Sequence, residues 1–158
     1  MQSVKDAAAA FLAHRRIAVT GVSRNPQGHG SNNVYQRLRD RGYEVFGVNP
    51  NADHVEGDLS YPDLKSIPGG VDAVVVGTRP ATAAQTMREC VDLGITSVWM
   101  HRAFGEGSVS DEATTYGRQH GVTVIDGGCP LMFEPTADPG HKVIRFVCTL
   151  TRKVPRRV

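Results

Sequence analysis

The sequence predicts a doubly wound α/β domain, with a mostly parallel sheet of five to six strands and helices on both faces. Short runs rich in β-branched residues alternate along the chain with amphipathic segments that are bounded by helix start and stop signals. Strands separated in this way are joined by crossover helices, which produce parallel pairing. A length of 158 residues suits one domain, so we expect a single unit over 1–158. Its core is expected at about 15–130, followed by a C-terminal helix and basic tail at 138–158.

The predicted strands are short and mostly apolar on both faces, as in a buried parallel sheet. Pro50 ends the second strand because proline has no N–H for the ladder. Trp99, the only tryptophan, is expected in the core. In chain order, the strands are predicted at 15–21, 43–49, 59–61, 71–77, 95–100 and 122–126.

The predicted helices have recognisable boundaries. Ser31 is a candidate N-cap of the second helix, and Ser108 with Asp111 three residues later resembles a capping box for the fourth. Asp138 followed by Pro139 predicts the N-cap and first residue of the last helix. The apolar positions of that helix are Val143, Val147 and Leu150. Helices are expected over 3–14, 31–41, 80–93 and 108–120, and from 139 onward.

Composition and charge argue against several classes of protein. Eighteen Lys and Arg against sixteen Asp and Glu give a net charge of +2, unlike a nucleic-acid-binding protein with a dominant basic face. Four cations in the segment 152–157 are interpreted as a solvated tail rather than a nucleic-acid or membrane patch. Three cysteines without metal-ligand spacing indicate a reduced, cytoplasmic protein. No segment resembles a signal peptide or a membrane span, so no membrane association is expected.

The loop after the first strand, from Gly21 to Asn33, is a candidate phosphate site. Gly21 permits a tight turn, and the helix that follows offers unpaired N–H groups and a partial positive charge to an anion. The alternative is a generic loop whose glycines serve only turn geometry. The Gly28-His29-Gly30 segment is followed by Asn33 where a dinucleotide fingerprint would have its third glycine. The nucleotide is therefore not specified by this loop.

The second strand ends in Asn49-Pro50-Asn51, without the acidic residue that binds the ribose of NAD. This argues against ordinary NAD binding and leaves NADP or another adenine nucleotide open. After the fourth strand, Arg79 suits a bidentate phosphate contact, unless Thr78 caps the helix and Arg79 is simply solvated.

No catalytic constellation is evident in the sequence. Ser23 lies in no nucleophile elbow, and the six histidines show no metal-binding spacing. Cys129, between Gly128 and Pro130, is interpreted as a structural cysteine at a tight turn, with a thiol facing the ligand crevice as the alternative.

Several motifs occur in the order that they have in one family. They are Gly21-Val22-Ser23-Arg24-Asn25-Pro26, Val48-Asn49-Pro50, the segment 61–68 before the strand at 71–76, Arg79, Val98-Trp99-Met100 and Cys129-Pro130. In this respect the chain resembles the stand-alone CoA-binding domain proteins, over roughly residues 5–150. That family has a Rossmann-like fold similar to the CoA-binding domain of the succinyl-CoA ligase α subunit.

The resemblance implies a role for each matching residue. Gly21, Val22, Ser23, Arg24 and the helix start at Ser31 would hold the diphosphate of CoA. Asn49 and Pro50 would flank the adenosine, Thr78 and Arg79 would line the crevice, and Met100 and His101 would lie along the pantetheine arm. By the same resemblance Cys129 would lie near the thiol, where we hypothesise a mixed disulfide with CoA.

Two residues depart from the family pattern. Asn51 replaces a lysine that many relatives place after Asn-Pro or Ser-Pro, where it suits the ribose phosphate of CoA. His101-Arg102 stands where relatives often have glutamine.

We therefore expect a non-enzymatic module that binds coenzyme A or an acyl-CoA, as a carrier, a sensor, or a subunit in a homodimer or beside a partner enzyme. The alternative is an NADP-dependent oxidoreductase or another nucleotide-using enzyme, with Arg24 accommodating a 2′-phosphate.

Overall fold

The computed structural model describes residues 1–25, 30–103 and 106–158. Gly28 and His29, which bear on the glycine pattern of the first loop, lie outside these residues. The described strands are β1 (Arg16–Thr20), β2 (Glu44–Val48), β3 (His54–Val55), β4 (Asp58–Tyr61), β5 (Ala73–Val76), β6 (Ser97–Met100) and β7 (Thr123–Asp126). The described α-helices are α1 (Val4–Leu12), α2 (Gly30–Asp40), α3 (Pro80–Asp92), α4 (Asp111–Gln119) and α5 (Pro139–Leu150).

The seven strands form one sheet in the order β3-β4-β2-β1-β5-β6-β7. Central β1 pairs in parallel with both β2 and β5, so that Val19 lies between Gly47 and Val75. Among the described strands, only β3 and β4 pair in antiparallel fashion. The predicted doubly wound α/β fold is confirmed, with at least one strand more than the sequence predicts.

The additional strand belongs to a hairpin in a segment that the sequence assigns mainly to a loop. Strands β3 and β4 are joined by Glu56 and Gly57, whose φ angles are 52° and 81°. Two positive φ values in a two-residue loop are typical of a tight hairpin turn. Strand β3 has two residues, too few for a period-two pattern to be visible in the sequence.

Side chains alternate between two core layers. One layer joins the sheet to α1 and α2 and includes Trp99, as expected for the core. Phe11 and Phe133 pack edge to face against the indole, whose Nε1 donates to the carbonyl of Gly127 at 2.9 Å. The other layer, on the opposite face, joins the sheet to α3 and α4 and includes Met100. Because successive side chains of a strand point to opposite faces of the sheet, Trp99 and Met100 lie in different layers.

The structure confirms the predicted N-cap of one helix and corrects the predicted N-caps of two others. Asp138 caps α5 by accepting from the backbone N–H of His141 at 2.8 Å, as predicted. Ser31 is not an N-cap, because α2 begins at Gly30 and the Ser31 hydroxyl bonds elsewhere. The cap of α4 is Ser110, which accepts from the N–H of Ala113, whereas Ser108 is buried before the helix.

Helix α5 packs on the body through few of its residues. Cys148 is buried and Ile144 is partly buried against the core. The apolar positions Val143, Phe146, Val147 and Leu150 are 65%, 67%, 45% and 68% exposed.

The basic C-terminal segment is not a free solvated tail, which corrects the interpretation from charge alone. Gln2 and Val158 exchange two backbone hydrogen bonds, at 3.2 and 3.0 Å, beside a bridge between Ser3 and Arg157. Val154 is buried in the core, which fixes the segment to the body. The side chains of Arg156 and Arg157 are nevertheless exposed.

Among the described helices, none is long and apolar enough to cross a membrane.

Candidate functional site

The carboxyl ends of β1 and β5 approach each other closely at two glycines. Gly21 has a φ of 75°, and a Cβ there would lie 2.5 Å from the carbonyl oxygen of Gly77. A Cβ on Gly77 would lie 1.9 Å from the Oγ of Ser31, which donates to the Gly77 carbonyl at 3.2 Å. These contacts fix the first turn of α2 over the ends of the two strands.

The first loop is held by a side chain of α2. Ser23 donates its N–H to Oδ1 of Asn32 at 2.8 Å, and Asn32 Nδ2 donates to the Ser23 carbonyl at 2.8 Å. Asn32 Nδ2 also donates to Glu56 in the β3–β4 turn at 2.7 Å. Val22 is buried, and Arg24 is exposed at the end of this part of the loop. The loop thus has a defined backbone conformation at the N-terminus of α2.

Asn49, at the end of β2, braces the same loop from the other side. Its Nδ2 donates to the carbonyl of Val22 at 2.9 Å, and its Oδ1 accepts from the N–H of Asn51 at 2.8 Å. Pro50 is exposed next to it. Asn49 therefore shapes the loop, and Pro50 offers an open surface beyond it.

A cavity of about 520 Å³ opens over the carboxyl ends of β5, β6 and β7. This is within the usual size range of small-molecule sites. Its walls come from the start of α2, the loops after the three strands, and α5. Lining residues include Gly30, Ser31, Gly77, Thr78, Arg79, His101, Ala103, Ser108, Cys129, Leu131, Met132, His141 and Ile144. The structure thus brings four of the candidate site residues, Ser31, Thr78, Arg79 and His101, to one cavity.

Thr78 and Arg79 offer polar groups to this cavity. Arg79 occupies the N-cap position of α3 without a side-chain cap hydrogen bond, and it is exposed. Thr78 is therefore not the cap, contrary to the alternative considered from the sequence. Its buried Oγ1 has no hydrogen-bond partner in the described part of the chain. Such a group suits a ligand that supplies the missing hydrogen bond.

Met100 differs from the position that the resemblance implies for it. Its side chain is completely buried in the layer under α3 and α4, away from the cavity. The cause is strand alternation, which directs Met100 and Trp99 to opposite faces of the sheet. Ala103 and Ser108 contribute to the cavity from the loop that follows β6.

His101 lies beside the first residue of α2. An added Cβ on Gly30 would lie 3.0 Å from Cε1 of the imidazole. Burial and, to a lesser extent, the proximity of His141 lower the pKa of His101 to about 4. His101 is therefore neutral at physiological pH.

Cys129 lines the cavity in the loop after β7 and is 3% exposed. Burial raises the pKa of its thiol to about 12, so the nucleophilic thiolate is scarce at neutral pH. Position alone therefore does not make Cys129 a reactive group.

His141 and Asp138 form a dyad that the sequence analysis does not identify. His141 Nδ1 lies 2.7 Å from Oδ2 of Asp138, which also lies 3.5 Å from Nη2 of Arg37. The only signal in the sequence is the N-cap at Asp138, because the cavity wall is formed by tertiary packing.

Among the described residues, no group of three or more His, Cys, Asp or Glu side chains is arranged to hold a metal ion.

Comparison with known proteins places this arrangement in a family. A family model described as a CoA binding domain matches residues 15–135. The α subunit of an ADP-forming acetate–CoA ligase II of Pyrococcus furiosus is 30% identical over 126 residues. That match covers 75% of this chain, which spans about 27% of the ligase subunit's length.

Smaller proteins match over most of their length. YneT, an uncharacterized protein of Bacillus subtilis, is 32% identical over 115 residues, covering 73% of this chain and 82% of YneT. A solved structure of a hypothetical protein from Pyrococcus horikoshii has a TM-score of 0.74 at 23% identity, covering 81% and 87% of the two chains. The latter shows the fold alone. Because the family model covers most of the chain, this protein belongs to the CoA binding domain family.

Proposed function

We propose that this chain binds coenzyme A or an acyl-CoA as a binding module without catalysis of its own. The observation that carries the proposal is the position of the cavity beside the start of α2 and the braced first loop, in a chain of the CoA binding domain family. In a doubly wound sheet, ligands bind outside the carboxyl ends of the strands where the strand order reverses. Here that point is β1, which has β2 on one side and β5 on the other.

The diphosphate belongs at the end of β1. Gly21 allows the first loop to pack closely on the Gly77 carbonyl, and the N-terminus of α2 offers N–H groups and a partial positive charge. Arg79 adds a guanidinium at the edge of the cavity. A diphosphate suits the last two features, because the helix N-terminus and the guanidinium each favour an anion.

The two ends of CoA then lie on opposite sides of β1. The adenosine lies toward β2, beside Asn49 and Pro50, and the pantetheine arm enters the cavity over β5, β6 and β7. The amides of that arm have donors and acceptors for the unpartnered Thr78 Oγ1. Apolar walls from Leu131, Met132 and Ile144 suit its methylene groups.

A module that binds CoA without completing a reaction itself is suited to act beside another protein. The Pyrococcus furiosus ligase subunit contains a similar segment in about a quarter of its length. This supports presentation of CoA to a partner enzyme or within a homodimer.

The proposal is tested by isothermal titration calorimetry of the full chain against CoA, acetyl-CoA, NAD and NADP at one ionic strength. We expect binding of CoA at micromolar concentration and none of the nicotinamide nucleotides. Preference for NADP would instead favour the oxidoreductase alternative, and a search for a hydride-transfer substrate would follow.

A matched pair of arginine variants locates the site. Arg79→Ala removes the guanidinium at the cavity and should weaken CoA binding about tenfold, as expected for one charge-assisted contact. Arg88→Ala on the same helix removes an exposed arginine that pairs with Glu112 and should leave the affinity unchanged. Equal affinities in the two variants would show that the diphosphate binds elsewhere.

A further inference from the structure

The Asp138–His141 dyad has a geometry that helix capping does not explain. Asp138 uses Oδ1 to accept the backbone N–H of His141 at 2.8 Å, which completes the cap. Its second oxygen, Oδ2, lies within hydrogen-bonding distance of the ring Nδ1 of His141, at 2.7 Å. A carboxylate on Nδ1 fixes the tautomer of a neutral imidazole, leaving Nε2 as a proton acceptor. The residues therefore hold a basic nitrogen in a fixed orientation.

This imidazole belongs to the wall of the cavity. His141 lines it together with His101, Cys129 and Ile144. The dyad is thus part of the cavity and not only of the helix surface.

The orientation of bound CoA, which rests on the proposed function, places its thiol at this wall of the cavity. Adenosine lies at β2 and the diphosphate at β1, so the pantetheine arm extends across β5 and β6 toward β7. The far wall consists of the loop after β7 and α5, which carry Cys129 and His141. The sulfur is the terminal atom of the arm and is the part that reaches this wall.

We propose that His141 accepts the proton of the CoA thiol, with Asp138 as the residue that positions it. The S–H bond breaks and its proton forms a bond to Nε2, while the electron pair remains on sulfur. The products are a thiolate and an imidazolium, so no oxidant, reductant or further reactant is involved. The module would thereby present CoA in its nucleophilic form to an acyl donor on a partner.

The other groups around the imidazole are compatible with this step. Asp138 stabilises the imidazolium directly, while Arg37 of α2 lies 3.5 Å from the same carboxylate oxygen. Burial lowers the pKa of His101, so its imidazole is neutral. Burial raises the pKa of Cys129, so its side chain remains a thiol. Neither residue competes for the transferred proton at neutral pH.

The test measures the ionisation of bound CoA by ultraviolet absorbance of the thiolate as pH is varied. The complex with S-methyl-CoA, which has no S–H, provides the baseline and removes the contribution of the protein's cysteines. For the wild-type chain, we expect about tenfold more thiolate at pH 7 than in free CoA, which corresponds to one pKa unit.

Three variants separate proton acceptance from structure. His141→Gln retains hydrogen bonding but cannot accept the proton, so bound CoA should titrate as it does in solution. Asp138→Asn keeps a good N-cap and removes the negative charge. This variant should lose most of the tenfold increase in CoA thiolate. His120→Ala should keep the full gain in thiolate, because His120 lies between α4 and the amino end of β7, whereas the cavity lies at the carboxyl ends of the strands.

The outcomes distinguish this inference from the function on which it rests. If wild-type protein binds CoA but the thiol titrates as in free CoA, the proton-acceptor role is overturned and the binding function stands. If His141→Gln keeps the tenfold gain, another group accepts the proton and the assignment is overturned. If CoA does not bind at all, both the binding function and this inference fail.

Discussion

Asn32 holds both polar groups of the Ser23 backbone with one side-chain amide. The Ser23 N–H donates to Oδ1, and Nδ2 donates to the Ser23 carbonyl, each at 2.8 Å. Asn32 is 1% exposed, and its amide also bonds Glu56 of the β3–β4 turn. The first loop is therefore shaped by α2 and the hairpin together, before any ligand binds.

Asn32→Asp tests this arrangement with almost no change of shape. The aspartate can still accept from Ser23 N–H, but it has no N–H for the Ser23 carbonyl and faces the carboxylate of Glu56. We expect CoA affinity to fall about tenfold and the free energy of unfolding to fall by about 1–3 kcal/mol. Calorimetry and urea denaturation measure the two effects.

The double variant Asn32→Asp/Glu56→Gln is the control for charge repulsion. It removes the carboxylate pair and should restore part of the lost stability. Unchanged affinity and stability in Asn32→Asp alone would contradict the role assigned to the Asn32 amide.

Gly77 should tolerate no side chain. Its Cβ would lie 1.9 Å from Ser31 Oγ and 2.5 Å from the backbone oxygen of Thr20, so Gly77→Ala must displace the sheet from α2. We expect a loss of at least about 3 kcal/mol, as for other severe steric changes in a core. Thermal or urea unfolding measures it.

Gly42→Ala provides the control, because Gly42 has a φ of 85° and no atom within 4 Å of the added Cβ. Only backbone strain applies there, and the cost should be about 1 kcal/mol. Similar losses in the two variants would argue against the close packing of Ser31 on Gly77.

The order of helices and central strands was predictable because each has enough residues to show a hydrophobic period. Strand β3 was not predictable, since two residues show no period, and Glu56 adopts a positive φ that its residue type does not favour. The sequence does not distinguish Ser108 from Ser110 as the cap of α4, because both residues offer the same hydroxyl near the start of the helix.

The candidate site was predictable where it follows a strand. Thr78 and Arg79 are expected there because residues that follow parallel strands lie at the same end of the sheet, and His101 is expected there through the family resemblance; all three line the cavity. Asn32 and Glu56 are 24 residues apart, and no local pattern links them. His141 is not predictable from the sequence, because its position at the cavity depends on the tertiary packing of α5.

His101 should make folding stability depend on pH. Burial lowers its pKa to about 4, whereas an unfolded histidine has a pKa of about 6.5. Between these values the unfolded chain binds the additional proton, so stability decreases as pH falls from about 6.5 toward 4. Above about 6.5 both states are neutral at this residue and it adds no pH dependence.

His101→Gln should reduce the slope of unfolding free energy against pH in that window. Urea denaturation of both proteins at several pH values, at constant ionic strength, measures the difference. Identical slopes for wild type and His101→Gln would mean that the imidazole is solvated in the folded protein.

Phe146 should contribute little to stability despite its size. It is 67% exposed on α5, so Phe146→Ser removes little buried apolar surface and should change the free energy of unfolding by less than about 0.5 kcal/mol. Phe11 is 1% exposed against Trp99, and Phe11→Ala should cost about 3–5 kcal/mol. Chemical denaturation of the two variants compares them. A loss of several kcal/mol in Phe146→Ser would show that this face of α5 is covered.

Cys129 should be unreactive in the folded protein, although it lines the cavity. Burial raises the pKa of its thiol to about 12, which leaves far less thiolate at pH 7 than the few per cent of a free cysteine. Incubation with oxidised CoA or iodoacetamide at pH 7, followed by intact-mass analysis, should show no adduct at this residue. Labelling should appear after unfolding in urea, because the thiol then regains its ordinary pKa. An adduct on the folded chain that Cys129→Ser abolishes would instead support the hypothesised mixed disulfide, and would require a thiolate-stabilising group that the bound ligand brings to the site.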